Sequence, residues 1–334
     1  MTPPNPKRSR RLQTLRYDPT FGDRPLAQTL QDLLIGRWQG PRDLLKATGT
    51  DWDRRTHRIR ILAETAATCR ISETWQIAEP HNADALALRA DTEVMRLFFA
   101  LSQEDPRALP PTAQDVFDRR RLHHAADFCF QASTAFPADP MPWISLLTLA
   151  RLYGGGHPHT WHWWHELRAR DPYSREGHHQ LLRHLSARWH GSHGLMYNFA
   201  RDTAAWAPLG SPLPVLAQAA RAEHYRQLIR TQGRTSLGLS YHWTHDALTP
   251  DLNITLERWI AHRTIERAQD VPDLNLLAHA LIHANRTHDA AFVFRMLGNR
   301  PTTTPWSYTG DPQNQFIQWH NQLNRSGFGR DSIV

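Results

Sequence analysis

Apolar residues recur along this chain at intervals of three and four, and no stretch alternates with period two between matching turn signals. Leu26, Leu30, Leu33 and Leu34 share one helical face, and Gly36 and Gly40-Pro41 are expected to end that helix. A short helix through Leu44 and Leu45 follows. Over 54–78, Ile59, Leu62, Ala63, Ala66 and Cys69 lie on one side, while Arg54, Arg55, Arg58 and Arg60 make the other side basic. Pro80 breaks the chain. Asn82 is a good N-cap for a helix carrying Leu86, Ala90, Met95, Leu97 and Phe98. A helix capped by Thr112 and running to Phe136 buries Leu122, Ala125, Ala126, Cys129 and Ala132. Its Arg119, Arg120, Arg121, His123 and His124 face solvent.

The strongest organisational signal follows. Helices are expected to stop before Pro137, Pro172 and Pro208, at intervals of 35 and 36 residues, with a further break at Pro250, 42 residues on. Between the breaks lie paired helical segments: 141–153 with 159–169, 174–187 with 192–206, and 212–230 with 235–248. Helical patterning continues through Trp259, Leu277 and Val293 to Gly298. A loop is expected over 299–312, and a closing helix over 312–324 with Phe316, Trp319 and Leu323. The fold class read from this pattern is all-α, antiparallel helix pairs stacked as an α-solenoid. The divisions expected are a basic, disordered arm at 1–25, a body at 26–325 with a sub-boundary admitted near 105–111, and a frayed tail at 326–334.

The spacing of the breaks resembles the tetratricopeptide repeat, whose W-x2-L opening is reproduced by Trp143 and Leu146. Leu147 stands where that pattern has glycine and Ala150 where it has tyrosine, so the likeness is to a degenerate tetratricopeptide-like array. A second, local likeness covers some 60 residues. It runs from Trp164 through Asp171-Pro172-Tyr173, His178 and Leu181-Leu182 to Arg188-Trp189-His190-Gly191-Ser192 and Phe199-Ala200. This run resembles a family of bacterial helical-repeat proteins of unknown function, marked by an Arg-Trp-x-Gly-Ser turn. The resemblance implies helical repeats and no assigned chemistry.

Charge and composition narrow the picture little. The formal net charge is +7, but residues 1–25 hold six basic and two acidic side chains, which leaves +3 for the rest. Only Lys7 and Lys46 are lysines, so arginine supplies nearly all of the 39 basic residues. Cys69 and Cys129 match no zinc-ribbon or redox spacing and are expected to be buried thiols in a reducing, cytoplasmic setting. No segment reads as a membrane span or a secretory signal, and no membrane partner is expected.

Candidate chemistry concentrates at 157–193, which holds nine of the 21 histidines and four of the 13 tryptophans. His162, His165 and Glu166 lie within one helical turn, and His190-x-x-His193 straddles a Gly-Ser turn, so half of a metal site is conceivable there. HExxH is absent, as are GxSxG, GxxxxGK[ST] and GxGxxG. No metal or cofactor is expected. His178 reads as a packed histidine, and Ser192 as the N-cap of the helix that follows Gly191.

The leading expectation is a non-enzymatic scaffold that binds a protein or peptide on a concave face, through Trp161, His165, Arg188, Trp189 and His190. Enzymatic activity is left open, leaning against. One alternative is a metal-dependent enzyme built on the histidine cluster. A second is a nucleic-acid binder acting through the arm at 1–25.

Overall fold

The computed structural model describes residues 18–102, 118–233, 237–244 and 246–325. Among them every regular element is helical and none is a strand. In chain order the helices are α1 (Arg24–Leu34), α2 (Gln39–Thr48), α3 (Trp52–Ala66), α4 (Ile71–Ala78), α5 (Ala83–Ser102), α6 (Arg119–Ala135), α7 (Met141–Ala150) and α8 (Thr160–Arg170). They continue with α9 (Arg175–His184), α10 (His193–Trp206), α11 (Leu216–Gln232), α12 (Leu237–His242), α13 (Leu248–Arg258), α14 (Val271–His283), α15 (Thr287–Leu297) and α16 (Pro312–Arg325).

Local chemistry accounts for most of the boundaries. Helices α6, α8 and α10 each end two residues before Pro137, Pro172 and Pro208, where the ring disfavours a helical conformation in the residue before it. Asn82 Oδ1 accepts from the amides of Asp84 and Ala85. Ser192 Oγ accepts from Leu195 N and so caps α10. Gly298, at φ +55°, closes α15.

Two boundaries depart from the sequence reading. Pro41 and Pro250 do not break helices: each lies in the first turn of one, α2 and α13, where the missing N–H has no intrahelical acceptor to lose. The helix expected over 54–78 is two helices, and Cys69 sits half-buried in the turn between them.

Packing links alternate helices into one row. Helix α3 packs on α5, α5 on α7, α7 on α9, α9 on α11 and α11 on α14, while α6, α8, α10, α13 and α15 fill the flanks. Helix α3 also touches α9 and the short turn Ala268–Asp270. There Asp53 accepts from Gln269 Nε2 at 3.1 Å and faces Arg267 at 3.4 Å, across more than 200 residues of chain. The row therefore returns on its own beginning. One apolar cluster runs from Leu26 to Trp189 and a second joins Phe21 to residues from Leu182 to Leu323. They divide at α9, where Leu181 and the following Leu185 join the first and Leu182 the second.

Buried arginine–aspartate pairs fasten the row. Arg55 on α3 holds Asp84 and Asp139. Arg60 on α3 reaches Asp91 on α5 at 3.4 Å and Thr148 on α7 at 3.2 Å, and Ser145 Oγ donates to Asp91 at 2.8 Å. Arg175 and His179 on α9 hold Asp273 on α14. Arg58 pairs with Asp23 and Thr48. Arg55 and Arg58 were expected on a basic, outward side of their helix. They are instead 1% and 8% exposed, because carboxylates distant in sequence neutralise them there.

The outer parts of the chain divide similarly. Residues 18–25 pack on the body: Phe21 is buried and stacks on His57, and Asp23 both caps α1 and pairs with Arg58. Residues 1–17, the 105–111 stretch and the 326–334 tail lie outside the described residues. No described helix is long and apolar enough to cross a membrane.

Candidate functional site

The five side chains singled out in the sequence do not share one surface. Trp161 and His165 project from the exposed side of α8, whose buried members are Thr160, Trp163, Trp164 and Leu167. Trp189 is 7% exposed and packs edge-on against Phe98 of α5. His190 is half-buried, with Nε2 2.9 Å from the Arg151 carbonyl oxygen. No hydrogen bond or ring contact joins Trp161 or His165 to Trp189 or His190. The turn that carries Arg188 to His190 is tight because α9 approaches it closely. A Cβ on Gly191 would lie 2.1 Å from the Leu185 carbonyl oxygen. His178 is fully buried, with Nδ1 2.6 Å from Ser174 O and its ring against Trp164, as a packed histidine should be.

Built up from these residues, the notable centre is Arg151, at the C-terminal end of α7. It is 7% exposed. Its guanidinium lies 4.8 Å from the Phe98 ring centroid and 5.2 Å from that of Trp189. Arg188 lies 5.1 Å from the same Trp189 ring, so one indole carries two cations. Arg151 Nε donates to Thr148 O at 3.4 Å, which places a cation on the negative end of α7. Among the described residues no carboxylate comes within 4.0 Å of its guanidinium. Burial, and then the neighbouring Arg183, Arg188 and Arg60, push its pKa well below the ordinary arginine value.

Charges from several helices of the row act on one another around Arg151: Arg60 and Glu64 on α3, Glu176 and Arg183 on α9, and Glu223 and Arg226 on α11. Burial raises Glu64 to about 7, against the pull of Arg60 and with the push of Asp91 and Glu176. Burial also opposes ionisation of Glu223, but Arg226, Arg188, Arg183 and Arg151 together hold it below the usual carboxylate range. Arg188 is lowered to about 10, first by burial and then by Arg226. The Arg183 side chain is 38% exposed and reaches Glu176 only at 4.0 Å. The arrangement is an inward-facing, cation-rich wall with aromatic backing. It suits hydrogen-bonded capture of an anionic group.

The sequence singled out Arg188, Trp189 and His190 as binding candidates and placed Arg60 on a basic helix side, but it did not single out Glu64, Arg151, Arg183 or Glu223. The helical spacing of Arg60 with Glu64, and of Glu176 with Arg183, was a signal that each pair shares a face. Nothing local says that the face turns inward.

A cavity of about 510 Å³ lies where the row meets its beginning. Asp53, Asp171, Tyr173, Arg175, His262 and Asp270 line it. Burial, reinforced by the charge of Asp53, raises Asp171 to about 6, and burial raises Asp270 to about 6 despite its contact with Arg263 at 3.0 Å.

The histidine stretch is dispersed. His162 and His165 are exposed, Glu166 pairs with Arg170, His190 turns to the Arg151 carbonyl, and His193 stacks on His224. Among the described residues no three His, Cys, Asp or Glu side chains are placed to hold a metal ion. Comparison with protein-family models, curated proteins and solved structures finds no match to this chain.

Proposed function

We propose that this chain is a non-enzymatic helical-repeat scaffold that binds a protein or peptide segment, and that the segment lies along the inward face of the α3–α5–α7–α9–α11 row. The observation that carries this reading is the concentration of partly exposed charged side chains on that face: Arg60, Glu64, Arg183 and Arg188 stand beside the buried Arg151 and Arg226. Exposed arginine beside aromatic rings is the composition of binding surfaces, whereas a face serving only to pack helices gains nothing from accessible charge. The tetratricopeptide-like spacing of the breaks at Pro137, Pro172 and Pro208 adds to it, since stacked helix pairs present an extended groove. Trp161 and His165, exposed on α8, extend the reading to a rim on the flank.

The test is peptide selection from a random displayed library on the purified protein, repeated on Arg183→Glu. The reading expects enriched sequences that are acidic and that lose binding to the variant while its melting temperature is unchanged. Enrichment indifferent to the charge at 183, or no enrichment, would remove the inward face as the binding surface.

A further inference from the structure

Asn275, His279 and His283 stand at intervals of four along one side of α14. Asn275 is occupied: its Oδ1 accepts from Trp306 Nε1 at 2.8 Å, and its amide donates to the carbonyl oxygens of Val271 and Arg300. The histidines differ. His279 is 1% exposed, and among the described residues neither of its ring nitrogens has a hydrogen-bond partner. His283 is half-buried and makes ring contacts but no hydrogen bond among the described residues. The two ring centroids are 4.4 Å apart. Aromatic neighbours hold both rings in place. Trp243, just after α12, lies 5.2 Å from His279 and stacks on His283 at 5.1 Å. Trp306 packs edge-on against His279 at 5.2 Å.

A neutral imidazole carries one donor and one acceptor. Keeping both from water without a partner is costly. His178, equally buried, at least places its Nδ1 against Ser174 O. Two imidazoles four residues apart on one helix face can direct two lone pairs at one metal ion, the spacing found where helical histidines bind zinc. Both rings are free to do so at neutral pH. Burial takes His283 down to about 4, and burial followed by His283 and His242 takes His279 well below the ordinary imidazole value. In a chain rich in arginine, no arginine is among the described charges acting on either ring, so no fixed cation there opposes a metal.

We infer that His279 and His283 form a two-imidazole site for a divalent transition-metal ion of the zinc or copper class. Among the described residues no third His, Cys, Asp or Glu is placed to join them, so water at the half-buried His283 completes the coordination. The site does not depend on the reading of the inward face.

The experiment is calorimetric titration of zinc, with copper and magnesium in parallel, into the full chain purified without a histidine tag. The wild type should bind zinc and copper but not magnesium, which prefers oxygen ligands. His283→Gln, at a half-buried position, should fold as the wild type does and bind zinc at least about tenfold more weakly. His279→Leu should lose the binding and, freed of two unmet nitrogens, should melt no lower than the wild type in chelator. If His279→Leu does not fold, His283→Gln decides.

The exposed His162 and His165 could also collect metal, and two arms separate them. A His162→Ala/His165→Ala variant should bind zinc as the wild type does. Proton competition is the second arm. A pair of ordinary imidazoles, protonating near pH 6.5, loses roughly tenfold in affinity between pH 7 and pH 6. His279 and His283 stay neutral over that range, so their affinity should hold within about twofold. Absence of zinc binding at millimolar concentration would overturn the inference, as would wild-type affinity in His283→Gln. Binding lost with His162 and His165, or weakened tenfold at pH 6, would mean an adventitious ion only and would overturn it equally.

Discussion

Arg55 and Asp139 meet across 84 residues of chain: Nε and Nη2 of the arginine both donate to Oδ2 of the aspartate, at 2.9 and 2.8 Å, with both side chains 2% exposed. Asp84 accepts a further bond from the same guanidinium, at 2.7 Å. Asp139 also accepts from Met141 N through its other oxygen, at 2.8 Å, and so starts α7. One carboxylate therefore ties α3 to the beginning of α7 and orients that helix, whose last turn delivers Arg151.

Asp139→Ala should accordingly be among the most damaging single changes in the molecule. It strands Arg55 and removes a helix-start acceptor together. The expected loss is about 3–5 kcal/mol, the range for breaking a buried pair, reduced somewhat because Asp84 remains. Urea unfolding followed by circular dichroism measures it. A loss under about 1 kcal/mol would mean that Asp84 alone satisfies Arg55.

Acid should weaken the fold before it affects anything else. Burial pushes His178 down to about 4, and His184 and His242 to about 3. In the unfolded chain each takes a proton near pH 6.5. Below that pH the unfolded state binds protons that the native state refuses, so stability falls as pH drops from 6.5 toward 4. A melting temperature level between pH 7 and 8 and falling steadily below 6.5 is expected. A flat profile to pH 4.5 would show that these rings find partners when charged.

Glu64 should act in the opposite sense over the same range. Its native value of about 7 lies above the unfolded carboxylate value, so the native state holds a proton that the unfolded state has released. Its contribution therefore weakens as pH rises through 4.5 to 7. Glu64→Gln should melt with the wild type at pH 5 and above it at pH 8. Identical curves at pH 8 would place Glu64 in full contact with water.

The two tryptophans singled out by the sequence should separate cleanly. Trp189 is 7% exposed against Phe98, and Trp189→Ala should cost about 3–5 kcal/mol. Trp161 is 53% exposed, and Trp161→Ala should stay within about 0.5 kcal/mol. Denaturation midpoints of the two variants decide this. Loss of a selected peptide in the Trp161 variant, with stability intact, would assign that residue to the binding surface.

Features governed by contacts a few residues apart were legible in the sequence. The helix ends before Pro137, Pro172 and Pro208, the caps at Asn82 and Ser192, and the packed face of His178 all follow from bonds within about one helical turn. Pro41 and Pro250 were misread because a proline in the first turn of a helix and a proline after its end look alike without the preceding cap.

Arg55, Arg58, Arg60 and Arg151 depend on the tertiary structure. A helical pattern shows that arginines share a side, but only the fold decides whether that side meets water or a distant aspartate. Asp139 lies 84 residues from Arg55, and Thr148 lies 88 from Arg60. The inward face is the same case. Its residues come from helices that pack in alternation, and α3 meets α9 and the 268–270 turn only once the row has formed. Periodicity and capping thus determined that the chain is helical and where most helices end. Long-range burial of charge, whose cost depends on every neighbour at once, decided which arginines bind the fold together and, among the described residues, left Arg151 with no carboxylate within 4.0 Å.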